Sequence, residues 1–156
     1  MTAGLRRALV PVTAKSLGAV HRALYRASGG RIGAHIWSLP VILLTTTGRT
    51  TGKARTTPLC ALPHEDGFVV IASFGGMDRP PAWWLNLEHI PMATVQIGRE
   101  RHRVTARTTA GEERARLWAQ VVERAPGYLE YARRTAREIP VVVLAQASRS
   151  SPGRIR

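Results

Sequence analysis

The stretch Thr47-Gly48-Arg49-Thr50-Thr51-Gly52-Lys53-Ala54-Arg55 gathers three cations around two glycines. Glycine lets a backbone approach a ligand closely, and cationic side chains beside free amides suit an anion such as a phosphate or a polycarboxylate. A nucleotide-triphosphate loop needs four residues between its glycines and a Ser or Thr after the lysine. Here three residues separate Gly48 from Gly52, and Ala54 follows Lys53, so that chemistry fails on spacing. An anion-gripping turn and a merely solvated basic turn both remain open.

A second stretch, Ala72-Ser73-Phe74-Gly75-Gly76, leaves a run of β-formers and leads to Pro80-Pro81-Ala82-Trp83-Trp84-Leu85-Asn86-Leu87. Paired glycines permit unusual dihedral angles and expose amides. The prolines stiffen the approach to a short helix beginning near Pro81. One of two adjacent tryptophans can wall a flat ring, although core packing explains the pair equally well. Tyr128 and Tyr131 lie three apart, on one helical face, with core packing again the competing explanation. Cys60, the single cysteine, sits in an apolar run and reads as a small buried hydrophobe. The five histidines show no ligand spacing, and no Ser/His/Asp, Cys/His or paired-carboxylate arrangement offers hydrolysis an engine.

These candidates need a scaffold, and the hydrophobic period supplies one. Residues 1–34 form a basic amphipathic segment, with a helix from about Thr13 to Ala27 that either packs on the domain or touches a membrane. Val41-Ile42-Leu43-Leu44 followed by three threonines reads as a buried strand. Arg55 to Leu62 and Phe68 to Phe74 read as two more, joined by a hairpin at His64–Gly67. Ala93, Val95 and Ile97 alternate with polar residues, as do His102, Val104 and Ala106, giving a second hairpin around Gly98-Arg99-Glu100. Thr109 and Glu112 predict a capping box opening a helix, Pro126-Gly127 interrupts it, and a shorter helix carries the tyrosines. Ile139 to Ala145 is the last strand. About six hairpin-linked strands with inserted helices predict a small closed or half-closed barrel in residues 35–147, followed by a basic flexible tail at 148–156.

The chain has 156 residues and is 44% hydrophobic, enough for one packed domain. Its formal charge is +13, carried by 23 basic residues of which only Lys15 and Lys53 are lysines. Nucleic acid, an anionic membrane face and a multiply anionic small molecule would each use such a field. The apolar patch after Arg6 and Arg7 is too short for a secretory signal, which leaves a cytoplasmic location as the expectation.

Taken in order, Leu43 to Leu59, Ala72 to Gly76, Pro81 to Leu87, and Tyr128 to Tyr131 leading to Ile139-Pro140-Val141-Val142-Val143 resemble the deazaflavin-dependent nitroreductases, a branch of the F420H2-dependent reductases. The resemblance implies a mainly β fold with flanking helices: a split β-barrel like that of flavin-mononucleotide-binding oxidases, holding coenzyme F420. It implies that Arg49, Lys53 and Arg55, with Thr50 and Thr51 beside them, grip the anionic tail, and that Gly52 and Pro58 shape the wall. Ala72, Ser73, Phe74, Gly75 and Gly76 would line the deazaflavin ring, with Pro81, Trp83 and Trp84 beside it. Tyr128 and Ser73, and less directly Tyr131, would orient an acceptor or pass a proton. The implied activity is hydride transfer from reduced F420 to a flat acceptor of quinone or nitroaromatic type, with a homodimer and peripheral membrane contact as further expectations. The chain departs from the pattern at Thr50 and Phe74, where a cation is common, and at Ala125, where a tyrosine would narrow the substrate pocket. The competing readings are a non-catalytic F420 carrier or binder of another hydrophobic anion on the same barrel, and, more remotely, a basic nucleic-acid module. Arginines not interleaved with stacking aromatics disfavour the last.

Overall fold

A computed structural model describes residues 35–36, 38–65 and 67–147; the expected amphipathic helix and basic tail lie outside them. Seven strands, β1 His35–Ile36, β2 Leu39–Thr47, β3 Ala54–His64, β4 Gly67–Ile71, β5 Met92–Ile97, β6 Glu100–Thr108 and β7 Val141–Gln146, form one antiparallel sheet. Its order is β1-β2-β3-β4-β7-β6-β5, and β5 pairs back onto β2. Six strands therefore close into a barrel, with β1 appended to β2. Among the described residues three α-helices accompany it: α1 Ala82–His89, α2 Gly111–Arg124 and α3 Gly127–Arg133.

Strand alternation sends one set of side chains inward and the other out. Ile42, Leu44, Ala61, Phe68, Val70, Val95, Val104, Val142 and Leu144 fill the barrel, and Trp83 and Leu87 of α1 join them. The opposite faces of β4 and β7, Val69, Ile71, Val141 and Val143, bury against Leu117 and Val121 of α2 and Tyr128 of α3. Two-sided burial explains why β4 and β7 are continuous apolar runs, whereas β6 alternates with exposed Arg101, Arg103 and Arg107.

Two local expectations are corrected. Strand β4 ends at Ile71, before Phe74, because Phe74, Gly75 and Gly76 adopt left-handed dihedral angles (φ 47°, 65° and 79°) that no strand accommodates. The Thr109 capping box does not form. Ala110 is the N-cap of α2, with no side-chain cap, while the Thr109 amide and hydroxyl both donate to the Val141 carbonyl at 2.9 Å. The threonine continues the strand pairing, which leaves its oxygen turned away from the helix amides.

The barrel is split along β3. That strand pairs with β2 from Ala54 to Cys60 but with β4 only from Ala61 to His64. Among the described residues, 54–60 thus carry a strand on one side and none on the other. Pro58 stands in this half-paired stretch, where a missing N–H is tolerated.

Candidate functional site

The basic turn between β2 and β3 is held by its own backbone: the Gly48 amide donates to the Lys53 carbonyl at 2.7 Å, and the Gly52 amide to the Gly48 carbonyl at 2.8 Å. Gly52 has φ 69°, which closes the turn. A cleft of about 530 Å³ opens beside it, lined by Arg49, Thr50, Thr51 and Arg55 of the turn and by Ala82, Trp83 and Asn86 of α1. Among the described residues, Arg49, Lys53 and Arg55 make no ion pair with a carboxylate. Three unneutralised cations on one turn attract an anion, and the low-dielectric wall of α1 strengthens the field.

Asn86, not singled out among the site residues by sequence, organises this turn. It is buried, its Nδ2 donates to Thr46 Oγ1 at 3.0 Å, and its Oδ1 accepts from the Arg49 amide (3.2 Å) and from Arg49 Nη1 (3.1 Å). Its signal in the sequence was faint: a polar residue on the same helical face as Trp83 and Leu87, which point into the barrel.

The two tryptophans separate. Trp83 reaches both the barrel core and the cleft, whereas Trp84 donates its indole N–H to Thr108 Oγ1 at 3.0 Å on β6 and is not among the cleft residues. Pro81 is the N-cap of α1 and fixes where that helix starts.

The second cluster lies where β4 leaves β3. Ala72 is anchored by its amide on the Pro140 carbonyl at 3.0 Å, and Gly76 donates to the Ser73 carbonyl at 2.9 Å. No hydrogen bond from the Ser73, Phe74 or Gly75 amide forms among the described residues. The ring of Phe74 is partly exposed, and the Arg79 guanidinium stands 5.4 Å from its centroid, bringing a cation to the place where the side chain itself has none. Gly76 packs on α3: a Cβ there would lie 2.6 Å from the Tyr131 carbonyl oxygen.

Tyr128 and Tyr131 meet edge to face, 5.8 Å between centroids. Tyr128 is buried in the outer core, and burial together with the neighbouring Cys60 thiol pushes its phenol far above the ordinary range. Burial likewise raises the Cys60 thiol, with the Tyr128 hydrogen bond opposing it, so this cysteine stays protonated at neutral pH. Ala125 is fully buried in the outer core beside α2 and α3.

Strand β3 joins the two clusters. Arg55 and Thr57 line the cleft at its start, Pro58 follows, and Cys60 touches Tyr128. At ~3.3 Å per residue, Arg55 to Cys60 spans roughly 17 Å along an edge that carries no neighbouring strand among the described residues.

A six-stranded antiparallel barrel opened along one strand, with a cationic turn at one end of the opening and, among the described residues, unpartnered amides at the other, is the architecture of a split-barrel protein. The F420H(2)-dependent quinone reductase family model matches residues 18–146, and this chain belongs to that family. It is 41% identical over 131 residues to an F420H(2)-dependent quinone reductase of Mycobacterium tuberculosis, covering 81% of this chain and 88% of that protein. Among solved structures it is similar to an F420-H2 dependent reductase (38% identity, TM-score 0.63, 72% of this chain and 99% of the other). It is also similar to a structure described as a domain-swapped dimer (34% identity, TM-score 0.64, 86% and 98%). Coenzyme F420, a hydride-carrying deazaflavin with an anionic tail, fits what the site offers. Among the described residues the cations of the turn have no carboxylate partner and the amides of Ser73–Gly75 no acceptor, which are groups of the kind an anionic tail and the polar edge of a heteroaromatic ring call for.

Proposed function

We propose that this protein is an F420H2-dependent quinone reductase. The observation that carries the reading is the continuity of the site: among the described residues, unneutralised cations at 49–55 and unpartnered amides at 73–75 are joined by the open edge of β3. When bound, reduced F420 supplies a hydride to a two-electron acceptor, which takes up a proton and leaves as the quinol. Arg49, Lys53 and Arg55 hold the tail through charge-assisted hydrogen bonds, and Thr50, Thr51 and Gly52 shape the turn around it. Ala72, Ser73, Phe74, Gly75 and Gly76 seat the ring, Pro58, Pro81 and Trp83 bound its approach, and Trp84 supports α1 from behind.

Donors aimed at the ring's polar edge favour the form that carries more negative charge, and they need no reorganisation as it appears. Tyr131, half-buried and beside Gly76, orients the acceptor with Ser73. Tyr128 keeps its proton because it is buried, and it braces Tyr131 from the outer core. Purified protein supplied with F420H2 and menadione is expected to oxidise the deazaflavin with multiple turnovers, followed by the return of F420 absorbance. Tight F420 binding without turnover on any quinone or nitroaromatic would establish a carrier instead.

The sequence of residues 1–34, basic and amphipathic, suits contact with an anionic membrane face. The domain-swapped relative favours self-association. Flotation of the full chain with anionic vesicles tests the first, with no co-migration as the refuting result, and its mass in solution tests the second, refuted by a monomer.

A further inference from the structure

Three backbone carbonyls of the 72–77 loop converge on one side chain more than fifty residues later. Arg137 Nε donates to the Met77 carbonyl at 2.8 Å, and Nη2 donates to the carbonyls of Ser73 (2.9 Å) and Ala72 (3.2 Å). The same corner is tied again by Thr135, whose hydroxyl donates to Asp78 Oδ1 at 2.9 Å and accepts from the Arg137 amide at 3.2 Å. Nη1 is buried with no partner among the described residues, while the Nε contact with Met77 lies at the surface, so the inner edge of this guanidinium is committed to the loop.

A trans peptide points its C=O and its N–H in opposite directions. The chain has no cis peptide among the described residues. Fixing the Ala72 carbonyl on Arg137 therefore turns the Ser73 amide to the far side of the loop, and fixing the Ser73 carbonyl does the same to the Phe74 amide. These are two of the three loop amides that have no hydrogen bond among the described residues. A cation bound to the carbonyl end of a peptide also polarises its N–H, which strengthens it as a donor. Left alone, the loop would relax, since Phe74 is a non-glycine residue held at φ 47°, a strained state that persists only when its surroundings over-determine it.

We propose that Arg137 is the positioning residue of the ring site: it aims and polarises the Ser73 and Phe74 amides toward an electron-rich heteroaromatic edge without touching the ligand. The inference rests on the reading of this site as a deazaflavin site. It predicts a division between head and tail that can be measured with two ligands, F420 and the tail-less deazaflavin that shares only its ring.

The experiment is a fluorescence titration of both ligands against the wild type, Arg137→Ala and Arg137→Lys, together with the absorption spectrum of each complex at saturating protein. Arg137→Ala is expected to raise the Kd for both ligands by a similar factor, about tenfold. It should also shrink the spectral shift of the bound ring even at saturation, a change that weakened folding does not produce. Arg137→Lys keeps the charge and one or two of the donors, so it folds and recovers part of both the affinity and the shift. Unchanged tail-less binding in Arg137→Ala, or a loss confined to F420, overturns the proposal while leaving the deazaflavin reading intact. Should Arg137→Ala not fold, a spectrum for Arg137→Lys identical to that of the wild type overturns it equally. A folded wild type that binds neither ligand removes the deazaflavin reading and this proposal together.

Discussion

A Gly76→Val variant is expected to lose deazaflavin binding altogether and about 2–4 kcal/mol of stability. Gly76 has φ 79°, where a β-branched residue is strained before it meets any neighbour. The neighbours are closer still: a Cβ would stand 2.6 Å from the Tyr131 carbonyl oxygen, 2.9 Å from Arg134 Cβ and 3.0 Å from Tyr131 Cα. Two of these three are backbone atoms of α3, which is itself packed on the outer core through Tyr128, so the loop must move. Moving it breaks the carbonyl contacts with Arg137 and scatters the amides of Ser73–Gly75. Gly75→Ala provides the contrast. Its φ is 65°, but nothing lies within 4 Å of the added carbon. That variant should lose only the ~1 kcal/mol of a left-handed alanine and still bind F420. Urea denaturation and fluorescence titration of the pair check this, and equal binding by the two variants would show that the approach of loop to helix is irrelevant to the site.

Much of this arrangement could be read from residue order, because barrels write their inside and outside into the chain. The alternation at Ala93–Ile97 and His102–Ala106, and the unbroken apolar runs at Val41–Leu44 and Val141–Val143, distinguished one-sided from two-sided strands. The cationic turn was legible for a similar reason, since all its groups lie within nine consecutive residues. What escaped depends on partners far apart in sequence. Thr109 resembles a helix cap locally, but β7, more than thirty residues on, captures its hydroxyl. Asn86 serves a turn 37 residues earlier, and Arg137 serves a loop more than sixty residues earlier. Local propensity and spacing report the elements and the contiguous motifs, whereas the residues that tension a site across elements appear only once the chain is folded.

The tail site should respond to mutation and salt in a way that the ring site does not. Arg55→Ala removes one exposed cation and is expected to weaken F420 binding by roughly three- to tenfold, because solvent and ions screen such a group. Arg49→Ala should cost more, roughly tenfold or above, since Asn86 already holds the Arg49 guanidinium beside the cleft and little freedom is lost when a ligand arrives. Asn86→Leu tests that pre-organisation without removing any charge. It deprives the Arg49 amide and side chain of their acceptor and Thr46 of a donor, and it should lower stability by about 1–3 kcal/mol while weakening F420 binding less than Arg49→Ala does. Affinity for F420 should fall as salt rises from 50 to 500 mM (a range of about tenfold in ionic strength), and this slope should flatten in the Arg49→Ala/Arg55→Ala double variant. The tail-less deazaflavin should show neither the mutational loss nor the salt slope, because it presents nothing for the cations to hold. Parallel titrations of both ligands decide the matter: a double variant that binds the two with wild-type affinity would take the anionic tail out of the turn, whereas a loss shared equally by both would mean that the turn supports the barrel and grips no ligand.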